Sequence, residues 1–135
     1  MAAVIPPAVA VFAADAELPW LRVLRPGFRH CFALLWDGGA WVLCDPLAHA
    51  TEVRRVPGER VGETAQSVAA WFTARGYRAL VVPARRVPRV PAPWAPLTCV
   101  EVIKRALGIR ARLAITPWGL YRRLLAVGAE PPIAC

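Results

Sequence analysis

The chain has 135 residues, 57% of them hydrophobic, and 17 Lys+Arg against 9 Asp+Glu give it a net charge of +8. A chain of this length buries roughly two-thirds of its unfolded surface and builds one core without staples, which excludes intrinsic disorder and two separate domains. Fourteen Pro exclude a plain helical bundle, because each removes a backbone donor, so the expectation is a single α+β domain over residues 1–135.

In chain order, Met1 to Ala14 is the longest uncharged apolar stretch. It is broken by Pro6 and Pro7 and falls short of the ~20 residues of a bilayer-spanning helix. No Lys or Arg precedes Arg22, so neither a membrane span nor a secretory leader is expected. Val9 to Ala13 reads as a short strand. From Phe28 to Asp45, two apolar runs flank Asp37-Gly38-Gly39-Ala40, a β-hairpin whose consecutive glycines supply the positive φ of a tight turn. Trp36 facing Trp41 sets a register that pairs Leu34 with Leu43 and Phe32 with Asp45. Alternation then places His30, Phe32, Leu34, Trp36, Trp41, Leu43 and Asp45 on one face. His30 and Asp45 become diagonal neighbours, ~7–8 Å apart at the backbone and within side-chain reach. Cys31 and Cys44 fall on the opposite face and read as core.

Thr51 to Val56 reads as a further strand ended by Pro57-Gly58. Glu63 to Arg75 is an amphipathic helix stopped by Gly76, and Tyr77 to Val82 is a buried strand. Pro83 to Pro96 contains five Pro and reads as an extended connection, neither helix nor central strand. Thr98 and Glu101 form a capping-box pattern that opens a helix running to Gly108, with Cys99 as its first residue. Ala111 to Ile115 reads as a strand. Thr116-Pro117 opens a last helix, whose buried stripe is Leu120, Tyr121, Leu124 and Leu125.

Four Cys, at positions 31, 44, 99 and 135, show no CxxC spacing, and the chain has only two His. No metal site and no cofactor are expected, and free thiols point to a reducing, cytoplasmic setting. Sixteen of the 17 basic residues are Arg and lie scattered, without the interleaved aromatics of a base-stacking platform. Contact with nucleic acid is then expected only as non-specific attraction, and a steep loss of binding with salt is its signature.

Cys99 is the most informative residue. A thiol in the first turn of a helix sits at the positive end of the helix dipole, among N–H groups with no intrahelical partner. The thiolate is favoured there, and the same N–H groups can hold the oxyanion of a tetrahedral intermediate. A nucleophile also needs a base oriented by a third group; His30 beside Asp45 supplies that pair, with His49 as the other candidate base. Competing readings stand beside these. Cys99 lies on the stripe Cys99, Val102, Ile103, Ala106 and Leu107, as a buried inert thiol would; His30 could be a satisfied interior imidazole; and Asp45, before Pro46, could cap a strand end or turn.

The segment Arg29-His30-Cys31-Phe32-Ala33-Leu34-Leu35-Trp36-Asp37-Gly38, followed later by Thr98-Cys99-Val100-Glu101, resembles the circularly permuted papain-fold thiol hydrolases. These are the permuted NlpC-type peptidases and the lecithin:retinol acyltransferase-like enzymes, in which a strand-borne His precedes a Cys at a helix start. The resemblance spans about residues 28 to 107. The acyltransferase-like members carry Asn before the Cys and Glu-His after it, where this chain has Thr98 and Val100-Glu101. The resemblance implies a small antiparallel sheet with the Cys-bearing helix packed on it, a permuted papain-like core over about residues 28–125. It also implies a peptidase-like hydrolase or acyl-transfer activity on an amide or ester of peptide or cell-wall type, with Cys99, His30 and Asp45 as catalytic residues. Residues Thr98 to Leu125 also resemble small bacteriophage proteins. That resemblance implies a host-cell or virion setting and no mechanism; the alternative role, a catalytically silent papain-like module that binds protein partners in an assembly, is favoured by the small size, the high apolar fraction, the Trp content and the basic charge.

Overall fold

A computed structural model describes residues 2–14, 28, 30–47, 50–88, 99–111 and 114–133. In chain order the elements are β1 (Ala2–Ile5), β2 (Ala8–Ala13), β3 (His30–Trp36), β4 (Trp41–Pro46), β5 (Thr51–Val56), α1 (Gly58–Val61), α2 (Ala65–Thr73), β6 (Arg78–Val82), β7 (Arg85–Pro88), α3 (Cys99–Leu107) and α4 (Pro117–Ala126). The protein is α+β. A five-stranded antiparallel sheet has the order β5-β4-β3-β2-β6, and β1 pairs with β7 in a separate two-stranded ribbon. Among the described residues no helix is long and apolar enough to cross a membrane.

The sequence of β2, Ala-Val-Ala-Val-Phe-Ala, explains its place between β3 and β6. Val9 and Val11 pack on one face of the sheet, while Ala8, Ala10 and Phe12 pack on the other, and all five are fully buried. The small alanines let helices lie close over their face. That layer joins Cys31, Ala33, Leu80 and Val82 of the sheet to Val100, Ile103 and Leu107 of α3 and to Leu120 and Leu124 of α4. The opposite layer joins Phe32, Leu34, Trp41 and Leu43 to Val61 of α1 and to Val68, Ala69 and Phe72 of α2. Each layer is locked by edge-on aromatics: Phe28 meets Trp118 and Tyr121 at 4.8 and 4.9 Å on the first, and Phe32 meets Phe72 at 5.5 Å on the second.

The hairpin forms in the expected central register, Leu34 opposite Leu43 and Trp36 opposite Trp41. Asp37 organises the turn. Its Oδ1 accepts from the N–H groups of Gly39 and Ala40 at 2.9 and 2.8 Å, and Gly38 takes φ +99°. At the other end the register expectation is corrected: the β3–β4 ladder stops at Ala33 opposite Cys44, so Phe32 and Asp45 are not a ladder pair, and Asp45 keeps only its pairing on the other edge, with Glu52 of β5. His30 is held from one side only, opposite Ala13 of β2. Beyond Ala33 and Cys44 the β3 and β4 strands no longer pair, while β4 stays paired with β5 to its end.

Capping residues fix the helices. Thr64 and Ser67 form a reciprocal box at the start of α2, and Thr116 accepts from the N–H of Gly119 at the start of α4, with Pro117 in the first turn. Gly108 (φ +69°) ends α3, and the N–H of Ile109 returns to the Lys104 carbonyl at 2.8 Å. After α4, Glu130 exchanges backbone bonds of 2.7 and 2.9 Å with Val81 and covers the β6 edge.

Three further expectations are corrected. Residues 111, 114 and 115 are not strand: the N–H of Ala114 turns back to the Ala111 carbonyl, which also accepts from Nζ of Lys104 at 2.9 Å, and positions 112 and 113 lie outside the described residues. Leu125 is 42% exposed, because the buried stripe of α4 runs through Pro117, Leu120 and Leu124. Part of the Pro-rich connection is a strand after all: β7 tolerates Pro88 at its end, on a two-stranded ribbon where no central ladder is lost, while positions 89–96 lie outside the described residues.

Candidate functional site

The candidate site lies at the open end of the hairpin, where β3 leaves β4 and α3 begins. His30 opens β3, Asp45 sits near the end of β4, and Cys99 is the first residue of α3. Nε2 of His30 and Oδ1 of Asp45 are 2.6 Å apart, the two side chains only 18% and 21% exposed. The imidazole lies beside Phe32, ring centroids 6.4 Å apart. With Nε2 committed to Asp45, Nδ1 is the ring nitrogen left for the Cys99 thiol, with which His30 also hydrogen-bonds. The structure therefore brings together all three residues singled out by sequence. His49, the other candidate base, and Thr98, the expected N-cap, lie outside the described residues. The carboxylate of Glu101 lies on Lys104 at 2.9 Å and on Arg105 at 3.1 Å, and the capping box expected between it and Thr98 falls outside the described residues.

Cys99 reaches this point from the other layer. Its half-buried side chain packs against the cluster that holds Cys31, while Phe32 faces α2 on the far side of the sheet. Both faces are within reach because the sheet itself ends there. Cys31 is the residue that sequence reasoning missed. It was assigned to core by alternation, and it is indeed fully buried, yet both its thiol and its backbone N–H hydrogen-bond to the Cys99 sulfur. The β3–β4 ladder, which stops two residues later in the chain, leaves that stretch of β3 without a β4 partner. The signal available in the sequence was adjacency: Cys31 directly follows the candidate base at a strand end.

The electrostatics follow from these contacts. The hydrogen bond from the Cys31 thiol is the largest influence on Cys99; together with the hydrogen bonds from His30 and from the Cys31 N–H, and with the imidazolium charge, it outweighs burial and lowers the Cys99 pKa to about 5. Cys31 moves the opposite way. Its hydrogen bond to Cys99 leads, burial and the charges of Cys99 and Asp45 follow, and the thiol is held protonated well above its ordinary range. For His30, burial is the largest single influence and disfavours the charge, but the hydrogen bonds to Asp45 and Cys99 and the charges of both raise its pKa to about 9. Between about pH 5 and pH 9 the pair is thus thiolate and imidazolium.

Among the described residues no group of three or more His, Cys, Asp and Glu could hold a metal ion. The arrangement suits nucleophilic chemistry: a charged sulfur, a proton donor beside it, and a carboxylate that fixes the donor's ring. Compared with models of known protein families, with curated proteins and with solved structures, the chain matches none.

Proposed function

We propose that the protein is a thiol hydrolase or acyl-transfer enzyme acting on an amide or ester, built on the layout of the permuted papain-fold thiol hydrolases. The observation that carries this reading is that one imidazole, His30, is held by Asp45 at 2.6 Å and also hydrogen-bonds to Cys99. His before Cys in sequence, a strand-borne His and a helix-starting Cys also fit that layout. Cys99 attacks the substrate carbonyl as the thiolate. The oxyanion of the tetrahedral intermediate lies against the backbone N–H groups at the start of α3, the positive end of a nine-residue helix. His30, as imidazolium, gives its proton to the departing amine or alcohol and then takes one from water, which hydrolyses the thioester at Cys99. Asp45 holds Nε2, so that the ring presents its other nitrogen to the sulfur. Peptide or cell-wall amides are the substrate class of the families resembled.

The sign of the pH dependence follows from the two groups. Acidification through about pH 5 protonates Cys99 and removes the nucleophile, while a rise through about pH 9 removes the proton that His30 donates. Turnover is expected to be bell-shaped with limbs near those values. The direct test is trapping of the acyl-enzyme with a small activated ester at pH 7. The acyl mass is expected on the peptide bearing Cys99, absent in Cys99→Ala and long-lived in His30→Ala. Acylation of Lys104 or of no residue, in a folded protein, overturns the proposal and leaves the silent binding module as the better reading.

A further inference from the structure

We propose that Cys99 and Cys31 together form a reversible oxidative modification site, in which a hydroperoxide oxidises Cys99 and Cys31 closes a disulfide on it. The inference shares the reactive Cys99 of the reading above but needs no acyl substrate. Both residues are free thiols, and they differ in access in the way such chemistry requires. Cys99 is half-buried at the start of α3 and reaches solvent, whereas Cys31 is fully buried in the layer on which Cys99 packs. An oxidant thus meets Cys99 first, and the thiol nearest to the oxidised sulfur is Cys31, which already hydrogen-bonds to it. Cys44, the remaining free thiol of the described residues, sits on β4 opposite Ala33 and has no hydrogen bond to Cys99 among the influences on its own thiol.

The chemistry balances in two steps. The Cys99 thiolate attacks the distal oxygen of the hydroperoxide. The O–O bond breaks, and the departing alkoxide or hydroxide takes the proton of the His30 imidazolium, leaving Cys99 as the sulfenic acid. The Cys31 sulfur then attacks the Cys99 sulfur. The S–O bond breaks, and hydroxide leaves with the Cys31 proton as water. Two thiols and one hydroperoxide become a disulfide, an alcohol or water, and one further water. The disulfide fixes the two sulfurs at about 2.05 Å. The disulfide removes the thiolate from the site and is returned by a dithiol reductant, so that Cys99 is kept from the irreversible sulfinic acid.

The test uses the full chain, reduced, exposed to about three equivalents of hydrogen peroxide at pH 7, with the intact mass read before, and the peptide masses after, blocking with iodoacetamide. The expected result is a loss of about 2 Da, a crosslinked peptide pair containing Cys31 and Cys99, and full reversal by dithiothreitol. In Cys31→Ala, and in Cys31→Ser should the smaller side chain unfold the layer, Cys99 is expected to gain about 32 Da instead and not to recover. A wild-type Cys99 that goes to the sulfinic acid, pairs with Cys44 or with a second molecule, or resists peroxide while alkylating at pH 6 overturns the inference and leaves the nucleophile reading standing. A Cys99 inert to both peroxide and iodoacetamide removes both.

Discussion

Each end of the β3–β4 hairpin carries an aspartate paired with a basic side chain, and the two ends differ in every property that matters for chemistry. At the turn, Oδ2 of Asp37 meets Nε of Arg55 at 2.8 Å in the open. The Arg55 hydrogen bond leads in lowering the Asp37 pKa to about 2, with the two turn amides behind it. That pair is charged at every accessible pH and touches no nucleophile, so it serves the turn. At the open end, Asp45 and His30 meet at 2.6 Å with about four-fifths of each side chain covered. The base there titrates, and it also hydrogen-bonds to the Cys99 thiol. An ion pair becomes usable for catalysis when one partner can change charge near neutrality and a third group stands on its far side.

Several substitutions break or sharpen this contrast. The largest effect is expected from His30→Ala, which takes the imidazolium from Cys99 while leaving the Cys31 hydrogen bond, and should slow iodoacetamide alkylation of Cys99 at pH 6 by about 10-fold. Leu34→Ala, in the middle of the hairpin and fully buried, removes packing common to both ends. It should cost about 2–5 kcal/mol of stability in urea titration, while the protein that remains folded keeps Cys99 reactivity. Asp45→Asn keeps the shape at the open end and removes the charge. The alkaline limb of turnover should move from about 9 down toward the ordinary imidazole value, and acylation at pH 8 should fall about 10-fold. The same change at the turn, Asp37→Asn, should leave the alkylation profile of Cys99 unaltered and lower the melting temperature slightly through the weakened turn.

The two ends were also unequally legible in sequence. The turn was readable because Asp-Gly-Gly between alternating apolar runs leaves little choice of geometry, and the Trp36–Trp41 pairing followed from the turn length. The meeting of His30 with Asp45 was readable from alternation, although the expected Phe32–Asp45 ladder pair is not formed and Asp45 keeps only its pairing with Glu52. The place of Cys99 was partly readable, since a helix start announces itself locally while its docking against β3 depends on the packing of Ile103 and Leu107. Cys31 was not readable as a site residue. Alternation puts it on the opposite face, correctly, and only the three-dimensional end of the sheet brings both faces within reach of one sulfur. The ribbon of β1 and β7 and the short α1 were missed for a related reason. Ala2–Ile5 pairs with Arg85–Pro88 across some eighty residues, and Gly58–Val61 is fixed by context, with the Gly62 carbonyl beyond it accepting from the Trp41 indole at 2.9 Å.

The central claim is that Cys99 is a thiolate held by His30, and the rate of iodoacetamide alkylation at Cys99 against pH, in wild type and His30→Ala, tests it most directly. The account predicts a wild-type rate that rises through about pH 5 and is already on its plateau at pH 7, with the rise displaced toward the ordinary thiol range in His30→Ala. A wild-type Cys99 whose labelling rises only near pH 8.5, or a profile that His30→Ala leaves unmoved, contradicts it.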